Sequence, residues 1–189
     1  MRLLLATRNA HKLREFERLL DTVALDPLPD GVETPPEDGD TYAANALIKA
    51  RAAVAATGRA AIADDSGIEA EALGWAPGVR TARFAGEHAT DGENLAKLAD
   101  EAPVGSRLRY VCVIAHVDAE GTERTFEGTT DGRVAGEPRG EGGFGYDPLF
   151  VPDDGLDDGR TMAELSDAEK DAISHRGRAA RALAEWLIR

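Results

Sequence analysis

Two short aliphatic runs, each ending in a group of polar residues, constrain the fold of this chain more than any other feature of its sequence. The first run, residues 2–6, stops at the polar segment 7–12, and Leu13 and Phe16 follow at helical spacing. This order predicts a strand, a loop and a helix. The second run, residues 60–63, stops at Asp-Asp-Ser-Gly, residues 64–67. A strand that delivers polar residues at its carboxyl end therefore occurs twice.

The rest of the chain predicts further helices and strands: helices over residues 42–56, 91–102 and 178–188, and a hairpin of strands over residues 107–117 and 122–134. Helix-end signals support these assignments. Gly58 stands where a C-cap is expected, Thr90 or Asp91 caps the second helix, and Ser166 with Glu169 matches a capping box. No repeat or linker interrupts this order, so residues 1–189 are interpreted as one α/β domain with a mixed sheet.

Composition excludes several classes of protein. A chain of 189 residues with 42% hydrophobic residues buries a core large enough to need no disulfide, and its single cysteine, Cys112, lies in an apolar run that predicts a buried thiol. A net charge of −13 argues against nucleic acid as a partner. No signal peptide or membrane span is recognisable, so we expect no membrane partner and a cytoplasmic location.

Paired carboxylates are the first candidate for chemistry. Asp64 and Asp65 directly follow a predicted buried strand, and oxygen ligands of this kind suit Mg²⁺. Glu37 and Asp38, in an acidic loop rich in proline, are candidates to complete such a site. The alternatives are an ordinary acidic turn for the first pair and a solvated surface loop for the second.

Lys12 and Lys49 stand out because the protein as a whole is acidic, and lysine serves phosphate as a point charge. Thr7, Asn9 and the backbone N–H groups at the start of the first helix add neutral donors for a phosphate. An exposed first-turn lysine is the alternative for Lys12, although the helix dipole disfavours it.

Two further segments suit a planar ligand. The glycine-rich residues 142–147 allow close approach of the backbone, with Phe144 or Tyr146 as a stacking face; a glycine turn with core aromatics is the alternative. His175 and Arg176 place two donors side by side at a predicted helix start, for which a merely polar helix start is the alternative.

Taken in order, these segments resemble the inosine and xanthosine triphosphate pyrophosphatase family. The match consists of six separated motifs: Thr7-x-Asn9-x-x-Lys12, Asn45-Ala-x-x-Lys49-Ala50, Ala63-Asp-Asp-Ser-Gly67, Pro77-Gly78 with Ala82-Arg-Phe84, Gly142-Gly-Phe-Gly-Tyr-Asp-Pro148, and Ser174-His-Arg-Gly177. Each motif alone is weak, whereas all of them in one order are specific. The resemblance implies a two-lobed α/β fold with an elongated mixed sheet flanked by helices, a nucleotide cleft between the lobes, dependence on Mg²⁺ and a homodimer.

The resemblance also implies residue roles. Asp65 resembles the catalytic carboxylate and metal ligand, and Glu37 resembles the second metal-associated acid. Substrate contacts are implied for the remaining motif residues: Thr7, Arg8, Asn9, Ala10, His11, Lys12, Lys49, Ser66, Phe144, Gly145, Tyr146, Asp147, Lys170, His175 and Arg176. The implied reaction converts ITP, dITP or XTP to the monophosphate and pyrophosphate, which removes deaminated purines from the nucleotide pool.

One position departs from the family pattern. A glutamate commonly precedes the Asn-Ala pair of the second motif, and here that position is Ala44. The departure favours one alternative, a nucleotide-binding protein without turnover. A second alternative is a Maf-like nucleotide pyrophosphatase of other specificity, against which the motif at residues 174–177 argues.

Overall fold

The strand, loop and helix predicted at the start of the chain are present in a computed structural model, which describes residues 2–154 and 158–188. Five α-helices form: α1 Ala10–Leu19, α2 Tyr42–Thr57, α3 Asp91–Glu101, α4 Asp167–Ile173 and α5 His175–Leu187. Six strands form: β1 Arg2–Leu5, β2 Ala24–Pro27, β3 Ala61–Ala70, β4 Arg107–Val117, β5 Glu123–Val134 and β6 Phe150–Pro152. These counts refer to the described residues.

The strands build one sheet in the order β2-β1-β3-β4-β5-β6. β1 runs parallel to both β2 and β3, whereas β6 runs antiparallel to β5. Parallel neighbours need crossover connections, which α1 and α2 provide, while β4 and β5 follow each other through a short turn. The predicted α/β class and mixed sheet are therefore confirmed.

Local capping explains where the helices begin. Asn9 caps α1, since its side chain accepts hydrogen bonds from the N–H groups of His11 and Lys12. Thr41 caps α2, and Gly58 ends that helix as predicted. Complete capping boxes start α3 at Thr90 and α4 at Ser166. α5 begins at His175, at the predicted helix start, and the extended backbone of Ser174 separates it from α4.

The chain divides into two compact units, and each has its own core. The first unit comprises residues 1–65, 112–128 and 176–189, and the second comprises residues 66–111 and 129–175. In the first unit, Leu3 and Leu5 of β1 pack with α1 and α5, whereas Leu4 packs with α2. This alternation follows from the opposite orientation of successive side chains in a strand. In the second unit, the core includes Tyr110 and Phe150.

One expectation about the carboxylate motif was wrong. Asp64 and Asp65 do not follow a strand; they lie inside β3, which continues to Ala70. The aliphatic run ends at Ala63, whereas β3 continues beyond it. Buried polar side chains are compatible with a strand when they have charged partners. The consequence is that Asp64 and Asp65 point to opposite faces of the sheet.

Two predictions from composition can be compared with the fold. Cys112 is buried in the first unit, and burial raises the pKa of its thiol to about 12, as expected for an inert core cysteine. Within residues 2–154 and 158–188, no helix has the length and apolar character that crossing a bilayer requires.

Candidate functional site

The first unit holds five charged side chains and one amide around β3, which we call the carboxylate cluster: Lys12, Glu37, Asn45, Lys49, Asp64 and Asp65. Helix α1 supplies Lys12 on one face of the strand, and α2 supplies Asn45 and Lys49 on the other. Since Asn45 and Lys49 are four residues apart on α2, they share one helix face. The second motif and the carboxylate motif are thus brought together.

Asp64 is enclosed by cations. Lys12 Nζ lies 2.8 Å from Asp64 Oδ2, and Arg176 Nη2 lies 3.7 Å from the same oxygen. Burial alone would raise the pKa of Asp64, but the charges of Lys12 and Arg176 outweigh it and hold the pKa well below its usual range. Asp64 is therefore an ionised carboxylate that orders two of the predicted substrate contacts.

Arg176 is bound more tightly by a residue that the sequence did not single out. Its Nη1 donates to Glu15 Oε2, and both side chains are buried. Burial would lower the pKa of Arg176, yet Glu15 and Asp64 raise it above its already high ordinary value. A signal was available: Glu15 lies three residues after Lys12 on α1 and so faces the same side of that helix. The prediction that Arg176 contacts a purine remains a prediction.

Asp65 is held from the other face of β3. Asn45 Nδ2 donates to Asp65 Oδ2 at 2.9 Å, while Asn45 Oδ1 accepts the N–H of Gly39 at 2.8 Å. A side chain at position 39 would not fit, because a Cβ there would lie 2.8 Å from both Asn45 Oδ1 and the Cβ of Ala44. Asn45 therefore joins the acidic loop to Asp65, a role that the sequence analysis missed although the residue stands in a motif.

The acidic loop adds Glu37 to the cluster. Lys49 Nζ lies 2.5 Å from Glu37 Oε1. Burial lowers the pKa of Lys49, but Asp64 and Glu37 more than compensate and raise it. For Asp65, burial raises the pKa, Lys49 and Asn45 oppose this, and the charge of Glu37 adds to the increase. Glu37 and Asp65 are hence close enough to repel each other, and Asp65 binds a proton more readily than an ordinary aspartate.

The cluster can be tested as a binding site for a hard cation. Among the described residues, no three His, Cys, Asp or Glu side chains form a ready-made metal cage. Asp64 Oδ1 is buried and finds no hydrogen-bond partner in the described part of the chain. Mg²⁺ commonly takes one or two protein carboxylates and completes its shell with water and substrate phosphates. Glu37 and Asp65 repel each other on the face of β3 that carries Asn45 and Lys49, and these two carboxylates fit that pattern; Asp64 Oδ1 lies on the opposite face.

The residues around the start of α1 make different contacts with their backbone and with their side chains. Thr7 Oγ1 accepts the N–H of Asn9, and the helix that begins at Ala10 directs its first N–H groups toward these residues. Arg8 is engaged elsewhere, since its guanidinium donates to the carbonyls of Leu28, Pro29 and Val32. His11 Nδ1 lies 2.9 Å from Arg14 Nη2. The side chain of Arg8 thus holds the acidic loop in place by these hydrogen bonds.

The second unit holds a group that we call the tyrosine network: Tyr110, Phe144, Asp147, Lys170 and His175. Asp147 lies at its centre, since its Oδ2 accepts from Lys170 Nζ at 2.7 Å and from the Phe144 N–H at 2.9 Å. Its Oδ1 accepts from the hydroxyl of Tyr110 at 3.1 Å. The glycine-rich loop is thereby joined to α4 and β4 by one buried carboxylate.

Phe144 and Tyr146, the two candidates for a stacking ring, differ in burial. Tyr146 is buried in the core and its hydroxyl donates to the carbonyl of Thr81 at 2.8 Å, whereas Phe144 is half-buried with Lys170 Nζ 5.3 Å from its ring centre. The turn before it requires glycine, because Gly143 has φ +68° and a Cβ there would lie 2.0 Å from Asp147 Oδ2. Phe144 is therefore the candidate stacking ring.

His175, the first residue of α5, stacks on Tyr110. The two ring centres are 4.5 Å apart with 9° between the ring planes, and both residues are buried. Sequence analysis missed Tyr110, because a tyrosine inside a strand of β-formers is indistinguishable from core. Ser66 is half-buried in β3, where it follows Asp65 directly.

Comparison with known proteins finds relatives that match nearly the whole chain. A dITP/XTP pyrophosphatase of Mycolicibacterium paratuberculosis is 50% identical over 196 residues, which cover 98% of this chain and 95% of that protein. A dITP/XTP pyrophosphatase of Cutibacterium acnes is 48% identical over 198 residues, which cover 99% of this chain and 96% of that protein.

Solved structures extend the similarity to the fold. A HAM1 protein from Coxiella burnetii superposes with a TM-score of 0.88 at 38% identity, covering 100% of this chain and 98% of that one. A nucleoside-triphosphatase / dITP/XTP pyrophosphatase from Mycobacterium abscessus gives 0.74 at 46% identity, covering 97% and 98%. The resemblance drawn from the six motifs is confirmed by a match over residues 3–186, and this chain belongs to the Ham1 family.

Proposed function

We propose that this protein hydrolyses the triphosphates of deaminated purines, ITP, dITP and XTP, to the monophosphate and pyrophosphate. The observation that carries the proposal is the setting of Asp65, which combines a raised pKa with an amide clamp from Asn45 and a neighbouring Lys49–Glu37 pair. Relatives at 48% and 50% identity bear the name dITP/XTP pyrophosphatase, which supports the substrate class.

The reaction needs a water molecule to attack the α-phosphorus while the bond to the bridging oxygen of the β-phosphate breaks. Asp65 accepts the proton of the attacking water, for which its raised pKa is suited. The electron pair leaves with pyrophosphate, and the ammonium groups of Lys12 and Lys49 neutralise that charge. No covalent intermediate is required, since positioning and electrostatics supply most of the catalysis in phosphoryl transfer.

Magnesium belongs to the proposal as the cofactor, with Glu37 and Asp65 as the side chains that would hold it. When bound, Mg²⁺ supplies charge neutralisation on the phosphates and activation of water. Glu37 is the more adaptable of the two ligands, because its side chain is 39% exposed and its partner Lys49 can exchange it for a phosphate. Asn45 keeps Asp65 oriented throughout.

Selectivity is assigned to the tyrosine network. Inosine and xanthine carry an oxygen at purine position 6, where adenine carries an amino group. Donors such as Lys170 and His175 pair with that oxygen and are left unpaired by adenine, a mismatch that lowers catalytic efficiency by orders of magnitude. Phe144 supplies the face on which the purine ring stacks.

The departure at Ala44 does not favour a protein without turnover. Ala44 occupies the third position of α2, and its N–H donates to the side chain of the N-cap Thr41. A glutamate at this position would complete a capping box. The position is therefore explained by helix stability, and the Asp65 setting is intact without it. A homodimeric state stays a prediction of the family resemblance, and a cytoplasmic location stays a prediction of the sequence.

The proposal is tested by measuring pyrophosphate release from ITP, XTP, GTP and ATP, with Mg²⁺ and again with EDTA. We expect fast release from ITP and XTP in Mg²⁺, slow release from GTP and ATP, and none in EDTA. Equal rates on ITP and ATP would contradict the assigned selectivity for the oxygen at position 6, and GTP, which carries the same oxygen, tests a separate exclusion of its 2-amino group. No release from any of them would contradict the reaction itself.

A further inference from the structure

Tyr110 contacts two parts of the tyrosine network that lie far apart in the sequence. Its hydroxyl donates to Asp147 Oδ1 at 3.1 Å, and its ring stacks on the imidazole of His175 at 4.5 Å with an angle of 9°. The ring also packs against Phe150, with 4.5 Å between centres and 31° between planes. Tyr110 thus connects the glycine-rich loop to the start of α5 while it is anchored in the core.

We propose that Tyr110 is a positioning residue for purine selectivity. It fixes the plane of the His175 imidazole with its ring, and it fixes the carboxylate of Asp147 with its hydroxyl. The inference deepens the proposed function and rests on it, since it assumes that His175 and the loop at residues 144–147 contact the purine.

The hydroxyl acts through Asp147. That carboxylate orders the N–H of Phe144 and the ammonium of Lys170, at 2.9 and 2.7 Å from its Oδ2. Without the donor on Oδ1, a buried carboxylate oxygen would lose its hydrogen bond and the carboxylate could rotate. The stacking ring Phe144 and the donor Lys170 would then both shift, because each is ordered by Asp147.

The ring acts through His175. An imidazole donates and accepts only in its own plane, so the orientation of the ring decides where its nitrogens point. A parallel neighbour at 4.5 Å restrains that orientation, and Phe150 restrains the neighbour in turn. His175 is itself only 5% exposed, which leaves little space for alternative rotamers.

A merely structural role makes a different prediction. If Tyr110 only filled the core, its removal would lower the amount of folded enzyme and reduce activity on every nucleotide by the same factor. A positioning role instead lowers the efficiency for ITP and leaves the poor efficiency for ATP unchanged, because adenine does not use the aligned donors. The ratio of kcat/KM for ITP to that for ATP separates the two roles.

The experiment uses Tyr110→Phe, which removes one oxygen and keeps the ring, and Tyr110→Leu, which removes both contacts. Thr81→Val is the matched control, since it deletes another hydroxyl of the same unit that donates to Gly78 O at 2.6 Å and accepts from Ile68 N at 2.8 Å. Steady-state kinetics on ITP and ATP and thermal unfolding are measured for all three and for the wild type.

We expect the ITP/ATP ratio to fall about tenfold in Tyr110→Phe and about a hundredfold in Tyr110→Leu. The loss should appear in the KM for ITP, with kcat within about twofold of wild type, because the reacting atoms are served by Asp65. Thr81→Val should lose thermal stability and keep the wild-type ratio. Should Tyr110→Leu not fold, Tyr110→Phe decides alone.

Two failures are distinguishable. In the first, the wild type prefers ITP and Tyr110→Phe keeps the same ratio of kcat/KM for ITP to that for ATP. This result overturns the role of Tyr110 and leaves the proposed function standing. A wild type that releases no pyrophosphate from ITP, or no more than from ATP, overturns the proposed function and the inference with it.

Discussion

Asp65 and Asp147 are both buried carboxylates near a lysine of a neighbouring helix, yet their surroundings differ. Asp147 accepts hydrogen bonds on both oxygens, from Tyr110, Phe144 and Lys170. Asp65 has a raised pKa and the repelling charge of Glu37 nearby, and Asp64 Oδ1 beside it in β3 lacks a hydrogen bond from any described residue. The hydrogen-bonding capacity of Asp147 is thus used on both oxygens, whereas the carboxylate cluster keeps a buried carboxylate oxygen without a hydrogen bond from the described residues.

This difference separates two kinds of function. A buried carboxylate with hydrogen bonds on both oxygens is held rigidly, which suits the recognition of a fixed hydrogen-bonding pattern. A cluster with crowded negative charge gains most from a cation and a phosphate, which suits chemistry at a triphosphate. The following predictions test the difference, beginning with the largest expected effect.

Substitution of Asp65→Asn should abolish most turnover. The amide keeps the shape of the side chain but accepts no proton, so kcat on ITP should fall by about 10²- to 10⁴-fold while nucleotide binding is largely retained. Pyrophosphate release and calorimetric binding measure the two quantities. Asp40→Asn, which changes an exposed acid of the same region, is the control and should keep wild-type kcat. Turnover that survives in Asp65→Asn would show that another group is the base.

Substitution of Glu15→Gln should destabilise the first unit. Arg176 is 2% exposed and loses its closest anion, so the free energy of unfolding should fall by about 3 kcal/mol. The melting temperature should fall by about 6–12 °C. Glu17→Gln on the exposed side of α1 is the control. An unchanged melting temperature in Glu15→Gln would mean that Asp64 alone satisfies Arg176.

Substitution of Ala44→Glu should stabilise the protein without changing its activity. The glutamate completes the capping box with Thr41 and should add about 0.5–1 kcal/mol to the free energy of unfolding. Ala56→Glu places the same charge in the last turn of α2 and should not stabilise, since the helix dipole opposes it there. A large increase of kcat in Ala44→Glu would contradict the capping interpretation.

The smallest effect is expected at Glu169, on the surface beside the tyrosine network. Its side chain pairs with Arg160 and accepts the N–H of Ser166, and these contacts lower the pKa of Glu169 to about 2. A lowered pKa stabilises the fold fully above the ordinary value near 4.5, and this contribution is lost as the pH falls toward 2. The free energies of unfolding of the wild type and of Glu169→Gln should therefore converge as the pH falls from about 4.5 to about 2. Exposed Glu141→Gln should show no such convergence.

Local signals made much of the fold predictable. The alanine-rich α2 runs from Tyr42 to Thr57, close to the predicted residues 42–56, because capping and helix propensity act within a few residues. The motifs also singled out Asp65 and residues 144–147 as candidate site residues. The extent of β3 was not predictable from hydrophobicity, because Asp64 and Asp65 interrupt the aliphatic run while the strand continues.

Long-range pairings were beyond the sequence alone. Glu15 meets Arg176 across 161 positions, and Tyr110 meets Asp147 across 37. Glu15 carries only the weak signal of its spacing from Lys12, and Tyr110 carries none, since it resembles a core aromatic. The pairing of Arg8 was equally out of reach, because its guanidinium donates to the carbonyls of Leu28 and Pro29, which are 20 and 21 positions away.

The central claim is that chemistry belongs to the carboxylate cluster and purine selectivity to the tyrosine network. It is tested most directly by measuring kcat and kcat/KM on ITP and ATP for wild type, Asp65→Asn and Tyr110→Phe in one assay. The account predicts that Asp65→Asn lowers kcat on both nucleotides by the same factor, and that Tyr110→Phe lowers the ITP/ATP ratio with kcat preserved. A selective loss in Asp65→Asn together with a uniform loss in Tyr110→Phe would contradict it.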